Sequence, residues 1–313
     1  MTYEAAPLFE DAAEAPEGGR ANWCVAADGV KVRAAHWATS GDRGTIFVFP
    51  GRTEYIEKYG RTVYELRKAG YAALVVDWRG QGLAQRVCKD PAVGHIRHFS
   101  DYQLDVVALI AYARSQNLPK PWFLLAHSMG GCIGLRTIIA AAPFNAVAFS
   151  APMWRIQMSR SSAIMAPIAA KISTLLGRQE SIAPTQSRVT FIARRHFAGN
   201  DLTSDPEMFA YLRRQHEAHP ELTLGGPSIG WYLEADRESE AIDDLRSPDL
   251  PAITFVGSDE RIVDPERIKT RMSRWPNGEL VQIPNGRHEL LIEQPHIREM
   301  VLQRSLALFS ANA

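Results

Sequence analysis

The stretch Leu124-Leu125-Ala126-His127-Ser128-Met129-Gly130-Gly131 joins an apolar run to a helical pattern. Trp122 to Ala126 predicts a buried strand, and Met129 to Ala142 predicts a helix. A serine between two such elements lies on a sharp turn, where the positions two before and two after it must be small. Ala126 and Gly130 meet this requirement. Because a small-x-Ser-x-Gly pattern also occurs in ordinary turns, the strand before it and the helix after it decide the interpretation.

Strand-like and helix-like segments alternate on both sides of this turn. Such alternation predicts a mostly parallel sheet with helices on both faces. An Asp28-Gly29 pair between two further strand-like runs predicts a hairpin. The predicted strands are Thr45 to Phe49, Ala72 to Val76, Trp122 to Ala126, Ala146 to Ser150, Ala252 to Val256 and Leu280 to Ile283. The predicted helices are Ile56 to Ala69, Asp101 to Gln116, Met129 to Ala142, Pro265 to Arg274 and His296 to Phe309.

The alternation of strand-like and helix-like segments stops for about ninety residues, beginning near the middle of the chain. We therefore expect a loose acidic leader over residues 1–22, a catalytic core over 23–150 and 242–313, and an inserted helical cap over 151–241. The chain length of 313 residues suits one large domain with such an insertion.

Composition excludes several classes of protein. The chain has 35 Lys and Arg residues and 35 Asp and Glu residues, so its net charge is zero. A net charge of zero does not indicate a nucleic-acid-binding protein. Cys24, Cys88 and Cys132 are scattered, which does not predict a disulfide framework or a metal site. The acidic amino-terminal segment lacks the pattern of a secretory signal, and no run of about 18 apolar residues predicts a membrane span. A cytoplasmic protein is the simplest expectation.

A nucleophilic serine needs a base, and the base needs an orienting carboxylate. In a sheet of this type the three follow one another in the order serine, acid, histidine. His288, in a glycine-containing loop after the last predicted strand, is the strongest base among nine histidines. Asp259, Glu260 and Asp264 all follow the strand before it, and the residues alone leave the choice among them open.

Together these segments resemble the lysophospholipase and monoacylglycerol lipase branch of the α/β-hydrolases. The resemblance runs from about Trp23 to the C-terminus, through part of the insertion. The matching segments are Phe49-Pro-Gly-Arg-Thr-Glu54 with Lys58-Tyr59, Asp77-Trp-Arg-Gly-Gln-Gly82, Phe99-Ser-Asp-Tyr102, Ala126-His-Ser-Met-Gly-Gly131, Ala151-Pro-Met153, Gly225-Gly-Pro227, and the acid and histidine loops.

The resemblance implies an α/β-hydrolase fold and a serine hydrolase of carboxylic esters. Its register implies Glu260 as the acid, in place of the commoner aspartate, beside Ser128 and His288. It further implies that the backbone N–H groups of Arg52 and Met129 bind the oxyanion. The implied substrate is a small-molecule ester or lipid, and no metal or cofactor is required.

Substrate choice depends on the insertion. An apolar stripe there is expected either to form the core of the cap or to bind an acyl chain or a membrane surface: Ile164, Met165, Ile168, Ile172, Leu175 and Leu176. Basic residues beside it favour a phosphate head group or an anionic, peripheral membrane surface: Arg155, Arg160, Lys171, Arg178, Arg194 and Arg195. A small-ester esterase, a thioesterase, a peptidase and a non-catalytic binding protein are the alternatives on this fold.

Overall fold

A computed structural model describes residues 3–38, 43–157, 175 and 177–313 of the protein. Eight strands form one sheet in the spatial order β1-β2-β4-β3-β5-β6-β7-β8. The strands are β1 (Arg20–Val25), β2 (Lys31–Trp37), β3 (Thr45–Phe49), β4 (Ala72–Asp77), β5 (Trp122–His127), β6 (Ala146–Ser150), β7 (Ala252–Gly257) and β8 (Gly278–Ile283). Strand β2 pairs antiparallel with β1 and β4, and the other neighbours are parallel.

The described part of the chain forms nine α-helices, several of which cover the two faces of the sheet. They are α1 (Glu10–Ala13), α2 (Gly60–Lys68), α3 (Asp101–Ser115), α4 (Met129–Ile139), α5 (Phe191–Arg194), α6 (Pro206–Ala218), α7 (Ile229–Asp243), α8 (Pro265–Met272) and α9 (Pro295–Ala311). Phe47 packs in one hydrophobic cluster with α3, α4 and α8, whereas Ile46 packs in the other with α2 and α9. The central strands are mostly apolar because both of their faces are buried.

The predicted α/β architecture, the six predicted strands and the Asp28-Gly29 hairpin are confirmed. One predicted helix is divided, since Ile56–Tyr59 forms a 3₁₀ turn before α2 begins at Gly60. No helix within the described ranges combines the length and the apolar composition needed to cross a bilayer.

The amino-terminal segment is not a loose leader, so that prediction is wrong for residues 3–22. Residues 20–22 belong to β1, and Ala13 of α1 is fully buried. The Phe9 ring stacks on His219 with 3.8 Å between ring centroids, and Tyr211 donates a hydrogen bond to the Ala13 carbonyl. An acidic, proline-rich composition conceals these contacts because backbone groups and small apolar side chains make most of them.

The chain between β6 and β7 contains α5, α6 and α7. Helix α7 continues to Asp243, across the expected cap boundary at 241/242, and contacts the core helix α4 through a 2.7 Å ion pair between Arg136 and Glu238. The expected apolar stripe lies outside the described residues except for Leu175, which is exposed. The domain boundaries therefore stay a prediction.

Candidate active site

Ser128 lies on the sharp turn between β5 and α4, at the carboxyl edge of the sheet. Its backbone adopts φ 50° and ψ −118°, an unfavourable region for a residue with a side chain. Gly130 is required because a Cβ there would lie 2.1 Å from the Phe49 carbonyl oxygen. The serine turn packs against the end of β3 so closely that the residue two after the serine, Gly130, must be small.

Ser128, His288 and Glu260 form one hydrogen-bonded chain. His288 Nε2 lies 2.9 Å from Ser128 Oγ, and its Nδ1 lies 2.8 Å from Glu260 Oε2. An ionised carboxylate only accepts hydrogen bonds, so Nδ1 carries the ring proton and Nε2 can accept the serine proton. All three residues are at most 8% exposed. This arrangement can activate a serine for nucleophilic attack.

The three carboxylates near the end of β7 have different environments. Glu260 Oε1 accepts hydrogen bonds from the backbone N–H groups of Ile262 and Val263, at 2.7 and 3.1 Å. Burial opposes its ionisation, but His288 and these donors outweigh burial and lower the pKa of Glu260. Asp259 is exposed, and Asp264 caps the N-terminus of α8. The structure thus brings Glu260, and not the other two, to the histidine.

Of the two expected oxyanion donors, Met129 directly follows the serine, and Arg52 lies in the loop after β3, whose start at Pro50 is close to Gly130 of the serine turn. Neither the Arg52 nor the Met129 backbone N–H donates a hydrogen bond to another described residue. The loop that carries Arg52 is held in place by Trp78, whose Nε1 donates to the Pro50 carbonyl at 2.9 Å. Both amides are therefore available to a ligand oxygen.

A buried charged cluster beneath the serine received no role in the sequence analysis. It comprises Glu54, Lys58, His127 and Glu289, and the only sequence signal was their position in or beside the matching segments. The two carboxylates and the imidazole have the spacing of a metal site. Lys58 Nζ, however, lies 2.5 Å from Glu54 Oε1 and 2.7 Å from Glu289 Oε2, so the ammonium already serves as the cation.

The expected basic surface of the insertion is only partly described. Arg160 and Lys171 lie outside the described residues, and Arg178, Arg194 and Arg195 are exposed. Arg155 is 3.6 Å from Glu240, a solvated ion pair. None of the four that are described forms a hydrogen bond or an ion pair with Ser128.

A family model described as serine aminopeptidase, S33 matches residues 40–295. The chain belongs to this family. Lysophospholipase L2 of Escherichia coli strain K12 is 27% identical over 297 residues, which cover 90% of this chain and 85% of the relative. Phospholipase YtpA of Bacillus subtilis strain 168 is 26% identical and covers 77% of this chain and 85% of the relative.

Solved structures share the fold of this family member. A soluble variant of the monoglyceride lipase of Saccharomyces cerevisiae, in complex with a substrate analogue, superposes with a TM-score of 0.71 at 21% identity. The superposition covers 91% of this chain and 93% of that chain. The predicted α/β-hydrolase fold and the resemblance to lysophospholipases and monoacylglycerol lipases are confirmed.

Proposed function

We propose that the chain hydrolyses carboxylic esters of lipids, with Ser128 as nucleophile, His288 as general base and Glu260 as the orienting acid. The observation that carries the proposal is the unbroken hydrogen-bonded chain from Ser128 Oγ through His288 to Glu260. The lysophospholipase and phospholipase names of the relatives support lipid esters as the substrate class. The cytoplasmic location, the peripheral membrane contact and the cap over residues 151–241 stay part of this proposal.

The reaction is a two-step acyl transfer. His288 Nε2 takes the Ser128 proton while Oγ attacks the ester carbonyl carbon, and the same proton then passes to the departing alcohol. Water repeats the sequence on the acyl-enzyme, which releases the fatty acid and restores the serine. The backbone N–H groups of Arg52 and Met129 bind the oxyanion in both steps, each contributing about 3 kcal/mol to transition-state stabilisation.

The family description names an aminopeptidase, which makes peptide hydrolysis the second candidate. An aminopeptidase needs an anionic group to bind the ammonium at the substrate's amino terminus. Glu54 and Glu289 contact His127, directly before the serine, but both are already bound to Lys58. Neither carboxylate is therefore free to bind a substrate ammonium, and these two residues give no support to peptide hydrolysis.

Arg52 distinguishes between two kinds of lipid ester. Its only side-chain hydrogen bond to a described residue runs from Nη1 to the Gly225 carbonyl, at 3.2 Å, and its guanidinium lies 5.4 Å from the Trp231 ring centre. It forms no ion pair with any described carboxylate, and the undescribed part of the insertion, residues 158–174 and 176, contains no Asp or Glu. A partly buried cation that forms no ion pair with a described carboxylate is suited to an anionic ligand group. A lysophospholipid phosphate provides one, so lysophospholipids are favoured over monoacylglycerols.

One panel of assays tests this function. A fluorophosphonate probe is expected to label the wild-type protein and to leave Ser128→Ala unlabelled. Lysophospholipids, monoacylglycerols, short p-nitrophenyl esters and an aminoacyl p-nitroanilide are then compared by kcat/KM. Labelling that persists in Ser128→Ala would refute the nucleophile. The highest kcat/KM on the anilide, or the absence of any preference for long acyl chains, would refute the lipid-ester assignment.

A further inference from the structure

Four charged side chains lie together beneath the proposed active site, where the acyl-transfer mechanism uses none of them. Glu54, Lys58, His127 and Glu289 are each no more than 6% exposed. Burying four ionisable groups is costly unless each charge is paired and hydrogen-bonded. Such a cluster next to a reaction centre therefore calls for a functional explanation.

Lys58 connects two segments that are far apart in the chain. Its Nζ donates to Glu54, in the loop after β3, and to Glu289, in the loop after β8. Glu54 in turn accepts hydrogen bonds from the Gly51 backbone N–H and from Tyr59 Oη, the latter at 2.6 Å. Gly51 directly precedes the proposed oxyanion donor Arg52, and Glu289 directly follows the proposed base His288.

The position of His127 adds a second cation to this cluster. Its Nδ1 lies 2.9 Å from the Ser150 carbonyl oxygen, which can only accept, so Nδ1 carries a proton. Its Nε2 lies 3.2 Å from Glu289 Oε2 and 3.5 Å from Glu54 Oε1, within ion-pair distance but not aligned for a hydrogen bond. A bare lone pair between two carboxylates would be repelled, so Nε2 carries a proton as well.

Protonation of His127 balances the charges of the cluster. Two carboxylates face one ammonium and one imidazolium, and the sum is zero. Burial disfavours a charged His127, but Glu289 and Glu54 outweigh burial and raise the pKa of the imidazole. The His127 ring also contacts His288, with 4.8 Å between ring centroids, so the cluster reaches the proposed base directly.

We propose that Lys58 is a positioning residue that fixes the oxyanion loop against the histidine loop, within a charge-balanced cluster with Glu54, His127 and Glu289. The proposal rests on the function proposed above. The cluster joins three segments that must be in register for acyl transfer, namely the loop of Arg52, the turn of Ser128 and the loop of His288. Misplacement of a reacting group by about 1 Å can lower turnover about 100-fold.

Lys58→Met tests this role because methionine keeps the length of the side chain and removes the bridge. Two ligands separate positioning from binding. An alkyl boronic acid forms a tetrahedral adduct on a serine oxygen and needs the oxyanion donors, whereas a lysophospholipid with an ether in place of the ester only occupies the cleft. We expect the boronic acid to bind Lys58→Met about 30- to 100-fold more weakly and kcat to fall similarly. Binding of the ether lipid should change less than about threefold.

Arg271→Met is the matched control, since Arg271 is also a buried cation, on α8, with hydrogen bonds to Ser247 Oγ and the Ile242 carbonyl. It is expected to lower the thermal unfolding midpoint without changing the ratio of boronic acid to ether lipid affinity. Glu289→Gln is the second variant, should Lys58→Met fail to fold, because it keeps the shape and weakens one bond to Lys58. Glu289→Gln should also weaken binding of the boronic acid more than binding of the ether lipid.

The possible results separate the two proposals. Equal weakening of both ligands in Lys58→Met, an unchanged ratio in Lys58→Met or Glu289→Gln, or the same ratio change in Arg271→Met would each overturn the positioning role. A wild-type protein that binds no boronic acid and is not labelled by a fluorophosphonate would instead refute the proposed function, and the positioning role with it.

Discussion

Arg52→Met separates the backbone of this residue from its side chain. The substitution keeps the N–H group proposed to bind the oxyanion and removes only the guanidinium. In the free protein that guanidinium uses Nη1 for the Gly225 carbonyl, which leaves Nε and Nη2 without a partner among the described residues. A phosphate oxygen would accept charge-assisted hydrogen bonds from these groups.

The size of the effect follows from the number of bonds lost. Hydrogen bonds to charged groups contribute roughly 1.5–3 kcal/mol. Since each 1.4 kcal/mol corresponds to tenfold, removing the guanidinium should lower kcat/KM for a lysophospholipid about 10- to 150-fold. A monoacylglycerol has no phosphate, so its kcat/KM should change less than about threefold, because the backbone oxyanion donor remains.

The assay uses two substrates with the same acyl chain, a lysophosphatidylglycerol and a monoacylglycerol. Arg178→Met is the control, because Arg178 is an exposed arginine in the insertion, away from the loop that carries Arg52 in the sequence. A general effect of surface charge would appear in both variants. If Arg52→Met lowers activity on both substrates equally, or on neither, the head-group role of Arg52 is refuted.

Two further predictions concern the acid and the effect of pH. Glu260→Gln should lower turnover by several hundredfold or more, by analogy with loss of a triad acid, while Asp259→Asn should stay within about threefold of wild type; a severe loss in Asp259→Asn instead would mean that the acid is misassigned. Burial lowers the pKa of His36 to about 4, and its Nδ1 lies 2.7 Å from Tyr112 Oη. The unfolded state, with a histidine pKa near 6.5, therefore binds more protons than the folded state between about pH 4 and pH 6.5. The contribution of His36 to the free energy of unfolding is fully present above about pH 6.5 and is lost as the pH falls towards about 4. The free energy of unfolding, measured with urea at pH 7 and pH 5, should fall by about 2 kcal/mol less in His36→Gln than in the wild type. An equal decrease in both proteins would contradict the lowered pKa of His36.

Much of the fold follows from local patterns. Mostly apolar runs of four or five residues predicted the parallel strands, and all of these except β8 are buried on both faces. The small residue at Gly130 predicted the sharp turn at Ser128, since backbone packing against Phe49 excludes a side chain there. The order serine, acid, histidine restricted the base to a single loop. The strands and the turn depend on neighbours in sequence, and the order of the three residues is what the resemblance to the α/β-hydrolases implies.

Other features depend on contacts between distant segments. The sequence placed three carboxylates after β7, and only the folded backbone directs Glu260 to His288 while Asp264 caps a helix. Composition suggested a loose amino-terminal segment, whereas burial of Ala13 shows that it packs on the rest of the protein. No spacing rule links Lys58 to Glu289, which lie 231 residues apart.

The serine and its turn could thus be predicted from the sequence alone, because short-range sterics determine them, and the histidine loop followed from the residue order of the α/β-hydrolases. The tertiary structure decided which carboxylate meets the imidazole, which cation neutralises the buried acids, and that Arg52 forms no ion pair with a described carboxylate. These are questions of charge pairing across long sequence separations. Pairing depends on distance and burial in space, and neither is recorded in the order of the residues.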